Sequence, residues 1–286
     1  MEAYLLNISN QRTKFMAKQK RFEDKVVWIT GGSSGIGREL ARQFAEEGAH
    51  VAVSGRRENR LNQVVDEIEE RGTRGLAVPC DVTDEQAVFD AVDKVVDAFG
   101  QLDCVVANAG FGVAGAIEDV SADEWRRQLD TNVVGLVSTA RAALPELRKT
   151  KGRVVLMGSV SGFLAQPRNA PYHASKHAVR AIGQTLSMEL HGSGVSCTTI
   201  HPGFVESEIG QVDNQGDFHE DWDDKRPQKL MWKTDDAARV IINAVYKRKR
   251  EYVFTGHGKL ASFMGKHFPS LIHHVTTWMS GGYDRK

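Results

Sequence analysis

Tyr172 and Lys176 stand four residues apart in the run Tyr172-His173-Ala174-Ser175-Lys176. Residues at that spacing share one face of a helix. A free tyrosine titrates near pKa ~10, and a neighbouring ammonium favours its phenolate. Such a pair can give a proton to a carbonyl oxygen and take one back from a hydroxyl. Alone, Tyr-x-x-x-Lys is an ordinary helix pair. Ser159 adds to it, because it follows the apolar run Val154-Val155-Leu156-Met157 toward which both side chains would point. There it would donate to the same oxygen and hold it within reach of Tyr172. His173 and His177 also share a face, but no carboxylate accompanies them at metal-site spacing, so no metal is expected.

A second motif supplies the redox partner for this acid. Thr30-Gly31-Gly32-Ser33-Ser34-Gly35-Ile36-Gly37 separates the apolar run Val26–Ile29 from a helical pattern at Ile36, Leu40 and Phe44. A glycine turn at that junction lets the backbone approach a pyrophosphate and sets its charge over the helix N-terminus. The next apolar run ends Val53-Ser54-Gly55-Arg56-Arg57, without a carboxylate to accept from an adenosine ribose. Arg56 would fork onto a 2′-phosphate, with Arg57 assisting, which favours NADP(H) over NAD(H).

The elements that position these residues follow from periodicity. Apolar runs at Val26–Ile29, Val51–Val53, Leu76–Val78, Cys104–Ala107, Val154–Met157 and Val195–Ile200 read as strands, with Tyr252–Phe254 a seventh. Helical patterns alternate with them, at about 36–47, 58–71, 86–99, 122–147 and 174–190. Thr83 with Gln86, and Ser121 with Glu124, read as capping boxes. Pro145 marks the last turn of the long helix, and Thr234-Asp235-Asp236 caps another through Val245. Continuous apolar strands alternating with helices predict a parallel sheet covered on both faces: a single doubly wound α/β domain of about seven strands.

Six motifs in order give the chain a family resemblance from about Lys25 to Phe254. They are Thr30–Gly37, Asp81-Val82, Asn108-Ala109-Gly110, Asn132, Ser159 with Tyr172-x-x-x-Lys176, and Pro202-Gly203. Together they resemble the short-chain dehydrogenase/reductases, a Rossmann-like family with an Asn-Ser-Tyr-Lys tetrad. The resemblance implies that Asp81 bonds the adenine amino group, with Val82 packed beside it. It implies that Asn108, Ala109 and Gly110 line the cofactor groove. It places the nicotinamide carboxamide at the stretch after Pro202-Gly203, with Val205 contributing backbone and Ser207 standing where the family more often has Thr. Lys176 would also hold the nicotinamide ribose, and Asn132 would position a water in a relay to Lys176. Ser34 stands where many NADP-using members carry a basic residue. Hydride transfer between NADP(H) and a secondary alcohol or ketone is the expected reaction. A catalytically silent NADP(H) sensor or scaffold is the alternative, and an epimerase or dehydratase a third reading.

Composition excludes other classes. Lys plus Arg balances Asp plus Glu at 37 each among 286 residues, leaving no nucleic-acid footprint. Three scattered cysteines, Cys80, Cys104 and Cys197, argue against a disulfide framework and for a reducing, cytoplasmic setting. No apolar stretch is long enough to span a membrane. Residues 1–22 read as a weakly ordered extension, whose apolar-then-basic order is wrong for a secretory signal. The domain proper is expected over 23–256, including a polar lid at about 206–233. Phe111, Phe163, Leu164, Phe204, Trp222 and Trp232 are candidates to line an apolar substrate pocket. The tail, 257–286, either packs on the body or a second subunit, or lies on a membrane surface. A homodimer or homotetramer through the helices at about 122–147 and 174–190 is the family's usual assembly.

Overall fold

The computed structural model describes residues 20–224 and 226–279. Seven strands form one parallel sheet in the order β3-β2-β1-β4-β5-β6-β7. They are β1 (Val26–Thr30), β2 (His50–Gly55), β3 (Gly75–Pro79), β4 (Cys104–Ala107), β5 (Arg153–Met157), β6 (Ser196–His201) and β7 (Glu251–Val253). The connecting helices are α1 (Gly35–Glu46), α2 (Glu58–Glu69), α3 (Glu85–Phe99), α4 (Ala122–Leu129), α5 (Gly135–Thr150), α6 (Ala170–Glu189) and α7 (Thr234–Tyr246). Two further helices, α8 (Gly256–His267) and α9 (Pro269–Met279), close the described chain. The strand order reverses between β1 and β4, and ligands in such sheets bind in the crevice that opens there.

Successive strand residues point to opposite faces. Val27 and Ile29 therefore join Leu40, Phe44 and Ile241 on one side, while Val26 and Trp28 join Val88, Val95 and Leu147 on the other. Trp28 is fully buried, and its indole N–H is satisfied by Ser54 Oγ at 2.9 Å.

Several expected boundaries move. Residues 1–19 lie outside the described chain, but Lys20–Phe22 belong to the folded body rather than to an extension. Phe22 is buried edge-on against Phe44, and Arg21 pairs with Glu47. Asp84, not Thr83, caps α3, its side chain accepting from Ala87 N–H. Lys233 is the N-cap of α7, and Thr234 is already helical. The Ser121–Glu124 capping box forms as expected. The long helix is interrupted by a π-turn, Asp130–Val134, and Pro145 lies inside α5 rather than in its last turn. α6 begins at Ala170, four residues earlier than the apolar pattern, because Pro171 suits a first helical turn. The polar lid is held by short 3₁₀ turns at Glu208–Gln211 and Gln228–Leu230 and by ion pairs.

Candidate active site

A cleft of about 730 Å³ opens at the carboxyl ends of the strands, in the range usual for small-molecule sites. Its floor is the turn from β1 into α1. Gly35 adopts a left-handed conformation there, φ 51°, and a Cβ on Gly37 would collide with the Gly31 carbonyl. Only glycine allows this close return of the chain. Asn108, at the end of β4, laces the turn in place: its Nδ2 donates to the carbonyls of Thr30 at 3.1 Å and Gly31 at 3.0 Å. Thr30 Oγ1 in turn accepts from the Asn108 and Ala109 N–H groups at 3.2 and 3.3 Å. Thr30 is buried and does not face the cleft. It braces the wall that Gly31, Ser33, Ser34, Ile36 and Gly37 present.

One end of the cleft is cationic. Arg57 Nη2 donates to Ser33 Oγ at 3.1 Å and Ser34 Oγ at 3.0 Å. Its other arm meets Glu208, which Arg60 also grips. Burial opposes ionisation of Glu208, but the two guanidiniums prevail and hold its carboxyl below the usual range. Arg56 donates to the Gly216 carbonyl at 2.8 Å, and both Arg57 and Arg60 stand over the Phe218 ring. Asp81 and Val82, after the neighbouring strand β3, also line the cleft. Asp81 accepts from Thr83 N–H and Oγ1 at 2.9 and 2.8 Å, and both bonds use Oδ1.

At the other end, Ser159, Tyr172 and Lys176 converge. Ser159 sits on the turn after β5, its Oγ accepting from Ser161 N–H at 3.1 Å and hydrogen-bonded to the Tyr172 phenol. His201 Nδ1, 3.0 Å from the Ser159 carbonyl, steadies the same turn. Lys176 is buried, and its Nζ donates to the Met157 carbonyl at 2.8 Å. Burial lowers its pKa from 10.5 to about 8. The Tyr172 hydroxyl departs from expectation: burial raises its pKa, while the Ser159 bond and the Arg226 charge work the other way. The protein's own groups therefore keep the phenol protonated, as a proton donor requires.

Asn132 does not face the cleft. Its Oδ1 accepts from Phe111 N–H at 3.1 Å, and its Nδ2 donates to Phe111 O at 2.9 Å and Ser175 Oγ at 3.2 Å. Its amide is spent on bracing the Gly110-Phe111 strand end against α6, and the π-turn is what turns it inward. Its amide bonds Phe111 and Ser175 rather than Lys176 directly, so the side chain itself positions these neighbours.

Pro202, Gly203, Val205 and Ser207 line the cleft beside Lys176. Sequence reasoning missed Arg226, which locks this stretch by donating to the carbonyls of Val205 at 3.0 Å and Ser207 at 2.7 Å while paired with Asp224. Of the six candidate pocket residues only Phe111 lines the cleft. Phe163 packs on His201, Phe204 stacks on His257, Trp232 lies against Phe254 and Trp222 against His219. Leu164 also lies off the cleft, by Gly265 of α8. The apolar wall comes instead from the lid: Ile209, Val212 and Phe218. His173 and His177 each direct Nδ1 to a backbone carbonyl, of Ser161 and His173.

The residues fit a bound dinucleotide. Lys176 carries a cleft-facing ammonium whose hydrogen bond goes to one carbonyl, leaving further N–H groups for ribose hydroxyls. The glycine turn leaves space where side chains would block a pyrophosphate, and Arg56 and Arg57 with two serine hydroxyls stand at the far end.

Comparison with known proteins agrees with this fold. A family model described as short chain dehydrogenase matches residues 25–217. An uncharacterized oxidoreductase of Staphylococcus epidermidis is 36% identical over 203 residues, covering 71% of this chain and 86% of that protein. The 11-beta-hydroxysteroid dehydrogenase A of Arachis hypogaea is 41% identical over 187 residues, 65% of this chain and 53% of that protein. Among solved structures, a short chain dehydrogenase/reductase from Burkholderia phymatum in complex with NAD superposes with TM-score 0.76 at 25% identity, covering 93% of this chain and 98% of that one. An alcohol dehydrogenase from Thermococcus sibiricus complexed with 5-hydroxy-NADP gives 0.70 at 27% identity, covering 80% and 95%.

Proposed function

The chain belongs to the short-chain dehydrogenase family of oxidoreductases, and on that premise we propose that it interconverts a hydrophobic ketone and its secondary alcohol with NADP(H). The observation that carries the reading is the meeting of Ser159, Tyr172 and Lys176 at one end of a cleft whose other end holds Arg56 and Arg57. Bound NADPH would supply the hydride. Ser159 would hold the carbonyl oxygen by donating to it, and Tyr172 would give that oxygen its proton. Lys176 would bond the ribose hydroxyls and place a positive charge near the phenolate left behind. In the alcohol-oxidising direction Tyr172 would take the proton back. Phe111, Ile209 and Val212 favour an apolar substrate body.

NADP(H) is favoured because Arg57 already donates to Ser33 and Ser34, a set of donors that would suit a 2′-phosphate. Glu208 is then the counter-ion such a phosphate would displace. Self-association extends the same reading: Val134 at the end of the π-turn, Val137 on α5 and Met188 on α6 are exposed apolar residues on the helices family members use to pair.

Titration of the purified protein with NADPH and NADH, then a ketone panel with wild type and Tyr172→Phe, tests the proposal. It expects tighter NADPH binding, and turnover lost in the variant while binding persists. Absence of binding by either dinucleotide, or turnover that survives in Tyr172→Phe, would sink it.

A further inference from the structure

We propose that the C-terminal helix pair, α8 and α9, docks this protein onto an anionic lipid surface. Leu260 and Phe263 share one face of α8, and Leu271, Val275 and Trp278 follow the i, i+4, i+7 spacing of one stripe on α9. All five are exposed, Trp278 by 83%, as is Phe268 at the joint between the helices. Ile272 and Thr276, a quarter-turn away, are the half-buried positions of α9. A surface helix that packs for stability turns its apolar stripe inward. Here the stripe is left facing out.

Charge identifies what covers it. Residues 247–279 hold six lysines and arginines, Lys247, Arg248, Lys249, Arg250, Lys259 and Lys266, against one carboxylate, Glu251, in a chain of zero formal net charge. Glu251 is bonded to Lys266 and Arg180, which joins the end of α8 to the exposed basic run before β7. An apolar stripe beside a surplus of cations is what a helix lying in a membrane interface presents to anionic headgroups. A second copy of this chain would bring the same cationic surplus to the contact and be repelled. No described helix is long and apolar enough to cross a membrane, so the attachment lies on the surface. It also has a direction. Gly258 and Gly265 of α8 pack on Val160 and Phe163, in and beside the turn after Ser159. A lipid-seated α8 therefore sets the catalytic end of the cleft beside the bilayer.

The test is sedimentation of the full chain with vesicles of phosphatidylcholine alone or mixed equally with phosphatidylglycerol, at low and high salt. The proposal expects pelleting with the anionic vesicles, weakened by salt. It expects the double variant Leu271→Ser, Trp278→Ser to lower the partition coefficient about tenfold, while its thermal midpoint and dinucleotide affinity match wild type. Three results would overturn it. They are no pelleting on anionic vesicles, equal pelleting of the variant, and a dimer by light scattering that the same two substitutions dissolve.

Discussion

The two ends of the cleft are built by different physics. At the catalytic end, Tyr172 and Lys176 stand on one turn of α6 and Ser159 on the turn after β5, and burial does the tuning. Lys176 is lowered to about 8 and Tyr172 is raised, both chiefly by desolvation. At the arginine end, the groups are half in solvent. The side chains of Arg57 and Glu208 are 36% and 27% exposed, and their partners come from a loop. Charges in low dielectric interact strongly, whereas exposed pairs are screened and individually weak. The catalytic end should therefore respond to mutation in rate, and the arginine end in affinity and cofactor choice.

The largest expected effect is at the buried end. Tyr172→Phe should lower kcat about 100- to 10,000-fold with dinucleotide affinity unchanged, read by steady-state kinetics and fluorescence titration. A matching loss of affinity would mean that the two ends are not separable. Arg57→Ala comes next: NADPH affinity should drop about 10- to 100-fold, the worth of a charge-assisted bond, while NADH binding changes little. Equal loss for both dinucleotides would assign Arg57 to holding the glycine turn rather than to selecting a phosphate. Glu208→Gln should act in the opposite sense, raising NADPH affinity about three- to fivefold by removing a competing carboxylate from two arginines. No gain would mean that Glu208 and a phosphate do not share a site.

The smallest effect separates the ends by pH. Lys176 is an ammonium below about 8 and an amine above it. Affinity for either dinucleotide should weaken about two- to threefold as pH rises through 8, because a charged donor bonds ribose hydroxyls better than a neutral one. Stability should move the other way. Between about 8 and the ordinary 10.5 the unfolded chain binds this proton and the folded one does not, so unfolding free energy rises with pH across that window. Urea titrations at pH 8 and 10 would read that slope once Lys176→Met supplies the background.

Much of the catalytic end was legible because its residues lie close in sequence or on regular elements. Tyr172 and Lys176 needed only helical periodicity, and the glycine turn needed only its place between strand and helix. Asn132 was found, but the partners of its amide were not. The π-turn that directs its amide to Phe111 leaves no periodic mark in Asp130–Val134. Thr30 was placed on the cofactor for the same reason: sequence locates a residue in a motif but not on which side of the wall it points.

The arginine end shows the opposite limit. Arg57 and Glu208 are 151 positions apart, and Arg56 and the Gly216 carbonyl 160. Arg226 leaves no motif at all, since its work is to hold carbonyls of Val205 and Ser207 that any residues would supply. The six aromatic and aliphatic pocket candidates followed from hydrophobicity alone, and five were drawn away from the cleft, among them Phe163 by His201, Phe204 by His257 and Trp232 by Phe254. By itself, the sequence determined the alternating elements, the glycine turn and the shared helix face of Tyr172 and Lys176, because each is a local pattern under short-range steric control. The tertiary structure alone decided which loop carboxylate meets the arginines, which side chains face the cleft and how far burial moves each pKa. Those depend on what the folded chain brings together across long sequence distances and on how much water it excludes.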